Sequence, residues 1–215
     1  MGFETELFDS LDTLSESEPC DITVGYIGTV RRRLDMLGKE ITDIDYPEQL
    51  MKYTGRKIWR STVDTVNSSP EMWPVFIKPV NNKLFKGRAV YSPKDMIGCG
   101  CCDGDNEVWC SEIAEFVSEY RVFVLYGDII GVRNYGGDWS ICCSKDTILK
   151  CISDFTDAPA AYAMDMGVTA DGKTLLIEIN NTCSIGSYGL DPVLYARFIS
   201  ARWAELTDTE DECRI

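Results

Sequence analysis

A predicted β-hairpin over residues 163–181 is the feature that most constrains the fold of this chain. The stretch AMDMGVTADGKTLLIEINN contains two apolar, strand-like runs, residues 163–166 and 174–179, which are joined by a turn at Asp171-Gly172. An Asp-Gly pair between apolar runs is a strong hairpin signal, because glycine readily adopts the positive φ that tight hairpin turns require. We therefore expect an antiparallel sheet at this point of the chain.

Three oxygen-bearing side chains lie toward one end of this hairpin. Asp165 is on the first run, and Glu178 and Asn180 are two residues apart on the second. Residues two apart on a strand share a face, so the three side chains can converge. Carboxylates, together with substrate phosphates and water, are the usual ligands of Mg²⁺ in proteins. The pattern indicates a magnesium site, although acidic residues that end a strand can also be simply solvated.

The charge and hydropathy of the chain argue against two classes of partner. The 215 residues are 45% hydrophobic and carry a formal net charge of -14. A nucleic-acid backbone and an anionic membrane both require a basic surface, so we expect neither as the main partner. No apolar run approaches the roughly 20 residues of a membrane span, and residues 1–10 lack a secretory signal pattern, which predicts a cytoplasmic location.

The sequence has ten cysteines and no histidine. The absence of histidine excludes Ser-His-Asp triads, Cys-His catalysis and histidine-ligated metals. In the cytosol the cysteines are expected to be reduced thiols. Any chemistry would therefore use carboxylates, lysine, arginine, cysteine or a metal ion.

A loop rich in glycine and cysteine, IGCGCCDG, covers residues 97–104, and Cys110 follows it. Structural zinc sites usually contain two C-x-x-C pairs, whereas the spacing here, at Cys99, Cys101 and Cys102, is C-x-C-C. The pattern favours ordinary thiols, and a zinc or thiol module is the weaker alternative.

Two lysines are candidate ligands for an anion. Lys78 lies in the apolar strand PVFIKP, and Lys86 precedes Gly87. A lysine in a buried strand needs a partner, because an unpaired buried ammonium costs several kcal/mol. That partner can be a phosphate or one of the many carboxylates of the chain.

Two arginines occur on neighbouring strands of a second predicted hairpin. Residues 108–124 form an apolar strand, an acidic connector and another strand, which continues through a turn at Gly127-Asp128. Arg121 and Arg133 lie on the two strands that flank this turn, so they can share a sheet face. Arginines on a sheet face in an acidic chain indicate anion recognition by guanidinium groups.

The order of these motifs resembles the ATP-grasp fold, in particular its clade named for two arginines and one lysine. The motifs are FIKP, K-x-x-KG, S-E-x-x-E-x-x-x-EYR, D-x-G and IEIN, and the resemblance covers about residues 21–195. It implies an α+β fold in which two α+β lobes enclose ATP, preceded by a reduced N-terminal α/β lead-in. It also implies ligation of a carboxylate to an amine or a thiol through an acyl phosphate.

The resemblance implies roles for individual residues. At the nucleotide these are Lys78 and Lys86 for the phosphates, Glu112, Ile113 and Ala114 for the adenine edge, and Glu119 for the ribose hydroxyls. At the metal they are Asp165, Glu178 and Asn180, for one or two Mg²⁺. Arg121 would face the γ-phosphate or the acyl phosphate. The second arginine of the clade is Arg133 or Arg56 of GRKIW, and the sequence does not separate them.

The segment NTCSIGSYGLD, residues 181–191, follows the metal-binding strand and is a candidate acceptor site through Ser184, Ser187 and Tyr188. The resulting hypothesis is an ATP- and Mg²⁺-dependent carboxylate-amine ligase, with a peptide or protein among its candidate substrates. The alternative is a non-catalytic ATP-binding or regulatory module of ATP-grasp fold, which the short region before Lys78 favours.

The predicted organisation has four parts. These are an irregular acidic leader (1–19), a small α/β subdomain (20–73), the ATP-grasp lobes (74–206) and an acidic tail (207–215). Within the subdomain we expect strands over 21–29 and 41–46, a helix over 30–37 and another helix from Pro47. A last packing helix is expected over 192–206.

Overall fold

The chain forms two α+β units in the computed structural model, which describes residues 4–80, 84–100 and 104–214. The first unit comprises Met1–Tyr53 and Phe116–Ile215, and the second comprises Thr54–Glu115. We call them the sheet-A unit and the sheet-B unit. The division differs in its bounds from the predicted parts at 20–73 and 74–206, because the strand and helix of residues 58–68 belong with the residues that follow them.

Five α-helices, eight strands and three 3-10 helices occur in the described residues. The helices are α1 (Leu11–Glu16), α2 (Ile27–Met36), α3 (Val63–Ser68), α4 (Lys145–Asp154) and α5 (Pro192–Thr207). The strands are β1 (Ile58–Thr62), β2 (Val75–Pro79), β3 (Arg88–Val90), β4 (Glu107–Ser111), β5 (Ser118–Leu125), β6 (Asp128–Gly137), β7 (Ala161–Val168) and β8 (Thr174–Asn180). The 3-10 helices are Glu48–Tyr53, Pro70–Met72 and Pro93–Met96. None of the described helices has the length and apolar character needed to cross a membrane.

The sheet-A unit is built on a four-stranded antiparallel sheet with the strand order β6-β5-β7-β8. One face is covered by α4 and by the 3-10 helix Glu48–Tyr53. The buried residues of this layer include Val122, Met164, Leu176 and Cys151. Burial of side chains of this size stabilises the sheet by about 1.5–3 kcal/mol each, so this layer fixes the strand order.

The opposite face of the same sheet is apolar at one end and polar at the other. Phe123, Leu125 and Ala163 pack beneath Phe198 of α5. Because side chains alternate along a strand, Arg121 and Glu119 occupy the same face as Phe123, two and four residues away. Their part of the face carries the polar cluster described below.

The sheet-B unit contains a four-stranded antiparallel sheet with the order β1-β4-β2-β3. Its core is formed by one sheet face, α3 and the loop after β3. Along β2, Val75 and Ile77 are buried in this core, and alternation directs Phe76 and Lys78 to the other face.

Both predicted hairpins are present. The strands β7 and β8 contain the two apolar runs of residues 163–181, and Gly172 in their turn has φ of 80°. β5 and β6 are joined through Tyr126 and Gly127, which both have positive φ. The last helix was also predicted correctly, as α5.

The predictions for residues 21–46 were partly wrong. The expected strand over 21–29 is absent, since α2 begins at Ile27 and buries Val30 and Leu34 against Trp203. The expected strand over 41–46 is reduced to a single bridge between Asp45 and Ile179. Two glycines within 21–29 weaken a strand, so helical burial prevailed over the alternating pattern.

The elements not anticipated from the sequence include β1, β3, α1, α3 and α4. For α4 a signal was available, because Ser144 caps the helix by accepting a hydrogen bond from Thr147 N at 3.3 Å, and Ile148 and Cys151 are buried at helical spacing. The helix expected from Pro47 is the 3-10 helix Glu48–Tyr53.

Gly167 of β7 tests the packing of this sheet. A Cβ at position 167 would lie 2.2 Å from Cδ1 of Phe116, so Gly167→Ala should lower the free energy of unfolding by about 1–3 kcal/mol. In α2, Gly28 has no atom within 4 Å of its Cβ position, and Gly28→Ala should raise it by about 0.5–1 kcal/mol. Urea unfolding of the two variants measures both changes. Equal stabilities for the two variants would contradict the packing of Phe116 on β7.

Candidate functional site

Four charged residues form a row across sheet A. Arg133 on β6 lies opposite Arg121 on β5, Arg121 lies opposite Asp165 on β7, and Asp165 lies opposite Glu178 on β8. We call this set the charged row. It places Arg121 and Arg133 on one face, as the second hairpin predicted, and it continues into the predicted metal ligands.

Arg121 and Asp165 form a buried, bidentate ion pair at the centre of the row. Arg121 Nε donates to Asp165 Oδ1 at 2.7 Å, and Nη2 donates to Oδ2 at 2.6 Å. The residues are only 8% and 3% exposed. Two parallel charge-assisted bonds fix both groups in one plane, so this pair defines the geometry of its neighbours.

Asn180 connects the two carboxylates of the predicted metal site. Its Nδ2 donates to Asp165 Oδ2 at 3.1 Å and to Glu178 Oε1 at 3.2 Å. The strand register produces this convergence, with an irregularity between Asp165 and Met166. The three side chains are therefore brought together as the sequence indicated.

The electrostatic environment of the pair is asymmetric. Burial raises the pKa of Asp165, and the nearby carboxylates of Glu178 and Glu119 raise it further, whereas Arg121 lowers it. Burial lowers the pKa of Arg121, but the bonds to Asp165 and its charge outweigh this effect and leave that pKa raised. Burial thus disfavours the charged forms of both residues, whereas the neighbouring carboxylates disfavour only the charged form of Asp165. One guanidinium does not fully compensate the carboxylates around it, and an added cation would be favourable here.

The donor set at Asp165, Glu178 and Asn180 fits Mg²⁺. Two carboxylates and one amide oxygen are hard ligands, and Mg²⁺ commonly takes one or two carboxylates with the remainder from water and phosphate. The Asn180 amide presents its NH2 group to the carboxylates, and rotation about χ2 exchanges that group for Oδ1. The described residues contain no group of three or more Cys, Asp or Glu side chains placed to hold a metal ion, so a metal here would take its remaining ligands from Asn180, phosphate and water.

Tyr135 and Tyr188, which were not predicted to act together, lie beside Arg121. The rings of Tyr135 and Tyr188 stack with centroids 5.3 Å apart and an interplanar angle of 23°. The Arg121 guanidinium lies 5.7 Å from the Tyr135 ring and 5.0 Å from the Tyr188 ring. Burial raises the pKa of Tyr135, and Asp165 and Glu119 raise it further, so this phenol is neutral. The spacing of Tyr135 from Arg133, two residues along one strand, was the signal that sequence reasoning missed.

Arg133 is the cation of the row that has no carboxylate partner among the described residues. Its Nε donates to Gly189 O and its Nη1 to Val132 O, both at 3.2 Å. It is partly exposed and lies directly across from Arg121. Like charges in directly opposed positions are destabilising, so this placement is unfavourable for the fold alone.

The predicted acceptor segment is fixed at several points. Ser184 Oγ donates to Gly25 O, and Tyr195 Oη donates to Ile185 O at 2.6 Å. Ser184 and Tyr188 have φ of 56° and 44°, which is an uncommon conformation for residues other than glycine. Of the three candidate residues, Tyr188 contacts the row, Ser184 is bound to Gly25, and Ser187 accepts from Leu190 N through its carbonyl.

Glu119, the predicted ribose ligand, lies on the same face as Arg121. It pairs with Gly136 on one side and Gly167 on the other. A Cβ at Gly136 would be 3.8 Å from Glu119 Oε1, so the missing side chain leaves room for the carboxylate.

In the sheet-B unit, the turn that carries Lys86 lies against β2, the strand that carries Lys78. A Cβ at Gly87 would lie 2.8 Å from Phe76 Cζ and 3.3 Å from Lys78 Cβ, so this turn passes close to β2 and a side chain at position 87 would displace the Phe76 ring. Lys86 precedes that glycine and is exposed. Both lysines therefore belong to one local region.

The residues after β4 have different environments. Glu112 Oε2 accepts from Lys57 N at 2.8 Å, so this carboxylate fixes the chain. The backbone groups of Ile113 and Ala114 make no hydrogen bond with the part of the chain that the structure describes. Arg56 belongs to this unit, and its Nη1 donates to Thr54 O at 3.0 Å.

The cysteine loop gives no support for a zinc site. Cys99 and Cys110 are buried in the core of the sheet-B unit. Burial raises the pKa of Cys110 to about 11, so its thiol is protonated. Cys101 and Cys102 lie outside the described residues.

Comparison with known families gives one match. The matching model describes an ATP-grasp domain, family 2 of the clade abbreviated R-2-K, and it matches residues 53–198, about two thirds of the chain. No match was found among curated proteins.

Several solved structures are similar. They include the ATP-grasp ligase PsnB complexed with a minimal precursor, which is 16% identical over 81% of this chain and 69% of that chain, with a TM-score of 0.47. N5-carboxyaminoimidazole synthase from Aspergillus clavatus with ADP is 16% identical over 76% of this chain and 50% of that chain, with a TM-score of 0.48. The macrocyclase MdnC bound with the precursor peptide MdnA, from Microcystis aeruginosa MRC, is 15% identical over 83% of this chain and 69% of that chain, with a TM-score of 0.46. At these identities the similarity says nothing about activity.

The buried ion pair predicts a strong coupling between its members. Asp165→Leu leaves the Arg121 guanidinium buried without its carboxylate and should lower the free energy of unfolding by about 3–5 kcal/mol. Arg121→Met in the same chain should recover most of that loss, because both charges are then removed. Asp43→Leu, which removes a carboxylate partner of the partly exposed Arg31, should cost less than about 1 kcal/mol. Denaturant unfolding of the parent, Asp165→Leu, Arg121→Met and the double variant measures the cycle, and additive losses at 121 and 165 would contradict the pair.

Proposed function

We propose that this chain, which belongs to the ATP-grasp domains and matches family 2 of their R-2-K clade, is an ATP- and Mg²⁺-dependent ligase. It joins a carboxylate to an amine through an acyl phosphate. The observation that carries the proposal is the charged row, where two carboxylates and an amide converge beside a pair of arginines, one of which lacks a carboxylate partner among the described residues.

In this proposal Asp165, Glu178 and Asn180 hold the metal. Mg²⁺ bound there supplies neutralisation of phosphate charge during transfer. Asp165 is already oriented by Arg121, so its role includes aligning the other two groups. Glu178 is the more accessible of the two carboxylates and contributes the principal ligand.

Arg133 is the arginine best suited to an anion. Arg121 is occupied by Asp165, whereas Arg133 is partly exposed and its recorded bonds go to carbonyls. A γ-phosphate or an acyl phosphate would offset the repulsion between the two guanidinium groups. We therefore assign Arg121 and Arg133 as the two arginines of the clade in this chain. Arg56, bonded to Thr54 O in the sheet-B unit, is a substrate-binding candidate instead.

The nucleotide contacts come from the residues that the family resemblance implied. Lys78 and Lys86 bind phosphates, and the proximity of Gly87 to Lys78 supports a joint action of the two lysines. Ile113 and Ala114 offer backbone donors and acceptors to the adenine edge. Glu112 contributes its backbone, since its carboxylate is bonded to Lys57 N. Glu119 binds the ribose hydroxyls.

The chemistry requires no histidine. A carboxylate oxygen attacks the γ-phosphate and ADP leaves, which requires that the negative charges be neutralised and the groups aligned. The lysines and Arg133 contribute this neutralisation, and Mg²⁺ held by Asp165, Glu178 and Asn180 would add to it. The amine then displaces phosphate from the acyl phosphate. Ser187 and Tyr188 are the acceptor-binding candidates, with Ser184 setting the loop through Gly25, and a peptide or protein is the proposed class of acceptor.

The metal assignment is tested by Glu178→Gln. The substitution removes one anionic ligand while the amide keeps the size of the side chain, so ADP release should fall by about two orders of magnitude or more. Glu48→Gln, at an exposed position of the same unit, is the matched control and should behave like the parent. ADP release is measured with Mg²⁺ and a pool of amino acids and peptides.

Two results would contradict the proposal in different ways. A Glu178→Gln variant that turned over like the parent would remove the metal assignment. A parent protein that bound ATP but formed no ADP with any acceptor would favour the non-catalytic ATP-binding module.

A further inference from the structure

The turn at Tyr188-Gly189 contacts both arginines of the charged row. The Tyr188 ring lies 5.0 Å from the Arg121 guanidinium, and Gly189 O accepts from Arg133 Nε at 3.2 Å. Both turn residues have positive φ, 44° and 78°. In this conformation the ring of one residue and the carbonyl of the next reach arginines on neighbouring strands.

The turn is anchored on both sides. Leu190 is 4% exposed in the core beneath α5, and a Cβ at Gly131 would lie 2.5 Å from its Cδ1. The Tyr188 ring stacks on Tyr135, which extends from β6 two residues after Arg133. Tyr188 is nevertheless 47% exposed, so it is placed by the stack and the turn and not by deep burial.

Arg121 is contacted by Asp165 on one edge and by aromatic rings elsewhere. Asp165 holds the Nε and Nη2 edge of the guanidinium, while Arg133 lies directly opposite and repels it. Aromatic rings on the guanidinium attract the cation through their quadrupole and shield its bonds from water. Tyr135 and Tyr188 are the rings within reach of Arg121 in the described chain.

We propose that Tyr188, supported by Tyr135, is a positioning residue that keeps Arg121 on Asp165, while Gly189 in the same turn sets the orientation of Arg133. The turn thereby fixes the relative placement of the two arginines. The inference rests on the proposed function and deepens it, since Arg133 is its proposed anion ligand and Arg121 orients its proposed metal ligand Asp165, but the positioning itself is measurable without turnover.

The test follows the Nε–H signal of Arg121 in ¹H–¹⁵N spectra of the full chain, assigned by its loss in Arg121→Lys. In the parent the exchange of this proton with solvent should be slow, because the bond to Asp165 is buried. Tyr188→Leu removes the ring and should accelerate the exchange about tenfold. Tyr188→Phe keeps the stack and should restore the parent rate. Tyr26→Leu, at a tyrosine that is 89% exposed, controls for loss of a surface ring.

The parent rate in folded Tyr188→Leu would overturn the proposal. Should Tyr188→Leu not fold, Tyr188→Gln places a polar side chain at this half-exposed position and supplies the same comparison. Turnover separates the inference from the proposed function. Faster exchange together with a lower kcat and an unchanged KM for ATP supports both. Faster exchange with unchanged kcat supports the positioning role and contradicts the proposal that transfer depends on the placement of Arg121 and Asp165.

Discussion

The ion pair between Arg121 and Asp165 is the interaction on which the rest of the site depends. It buries two charges on the polar half of a sheet face whose other half is packed beneath α5. A buried ion pair of this kind contributes little net stability, since desolvation consumes most of the attraction. Its value lies in orientation, because two parallel bonds hold Asp165 in one plane, and Asn180 and Glu178 are aligned from there. The strand register and this one ion pair therefore set the geometry of the candidate site.

The charges of the row are unbalanced along its length. At the Glu178 end, the carboxylates outnumber the one guanidinium near them, that of Arg121. At the Arg133 end, one arginine lies directly opposite another. A magnesium phosphate complex carries both complementary charges, a cation for the carboxylates and anionic oxygens for the arginine. A fold that required only stability would place apolar or mutually neutral pairs at these positions. The imbalance is the physical reason for assigning the row to binding and transfer.

Local pattern predicted those parts of the fold that depend on neighbouring residues. The hairpin of β7 and β8 followed from Asp171-Gly172, and the convergence of Glu178 with Asn180 followed from strand alternation. The pairing of Arg121 with Asp165 did not follow, because β5 and β7 are distant in sequence and their adjacency depends on burial over the whole sheet. The stack of Tyr135 on Tyr188 joins residues 53 positions apart and depends on a turn with positive φ. No periodic sequence pattern predicts such a contact. The strand expected over 21–29 shows the converse, where an alternating pattern was overruled by helix burial.

The most direct test of the account is the calorimetric titration of the protein with ATP, with and without Mg²⁺. We expect saturable binding of one ATP per chain with Mg²⁺, and affinity lower by about tenfold or more when Mg²⁺ is replaced by a chelator. Arg133→Met should lower the affinity for ATP by a similar factor in the presence of Mg²⁺. Arg133 has no carboxylate partner among the described residues, so its guanidinium is available to bind phosphate. No ATP binding under either condition, or equal affinity in both, would contradict the assignment of the charged row as a magnesium and phosphate site.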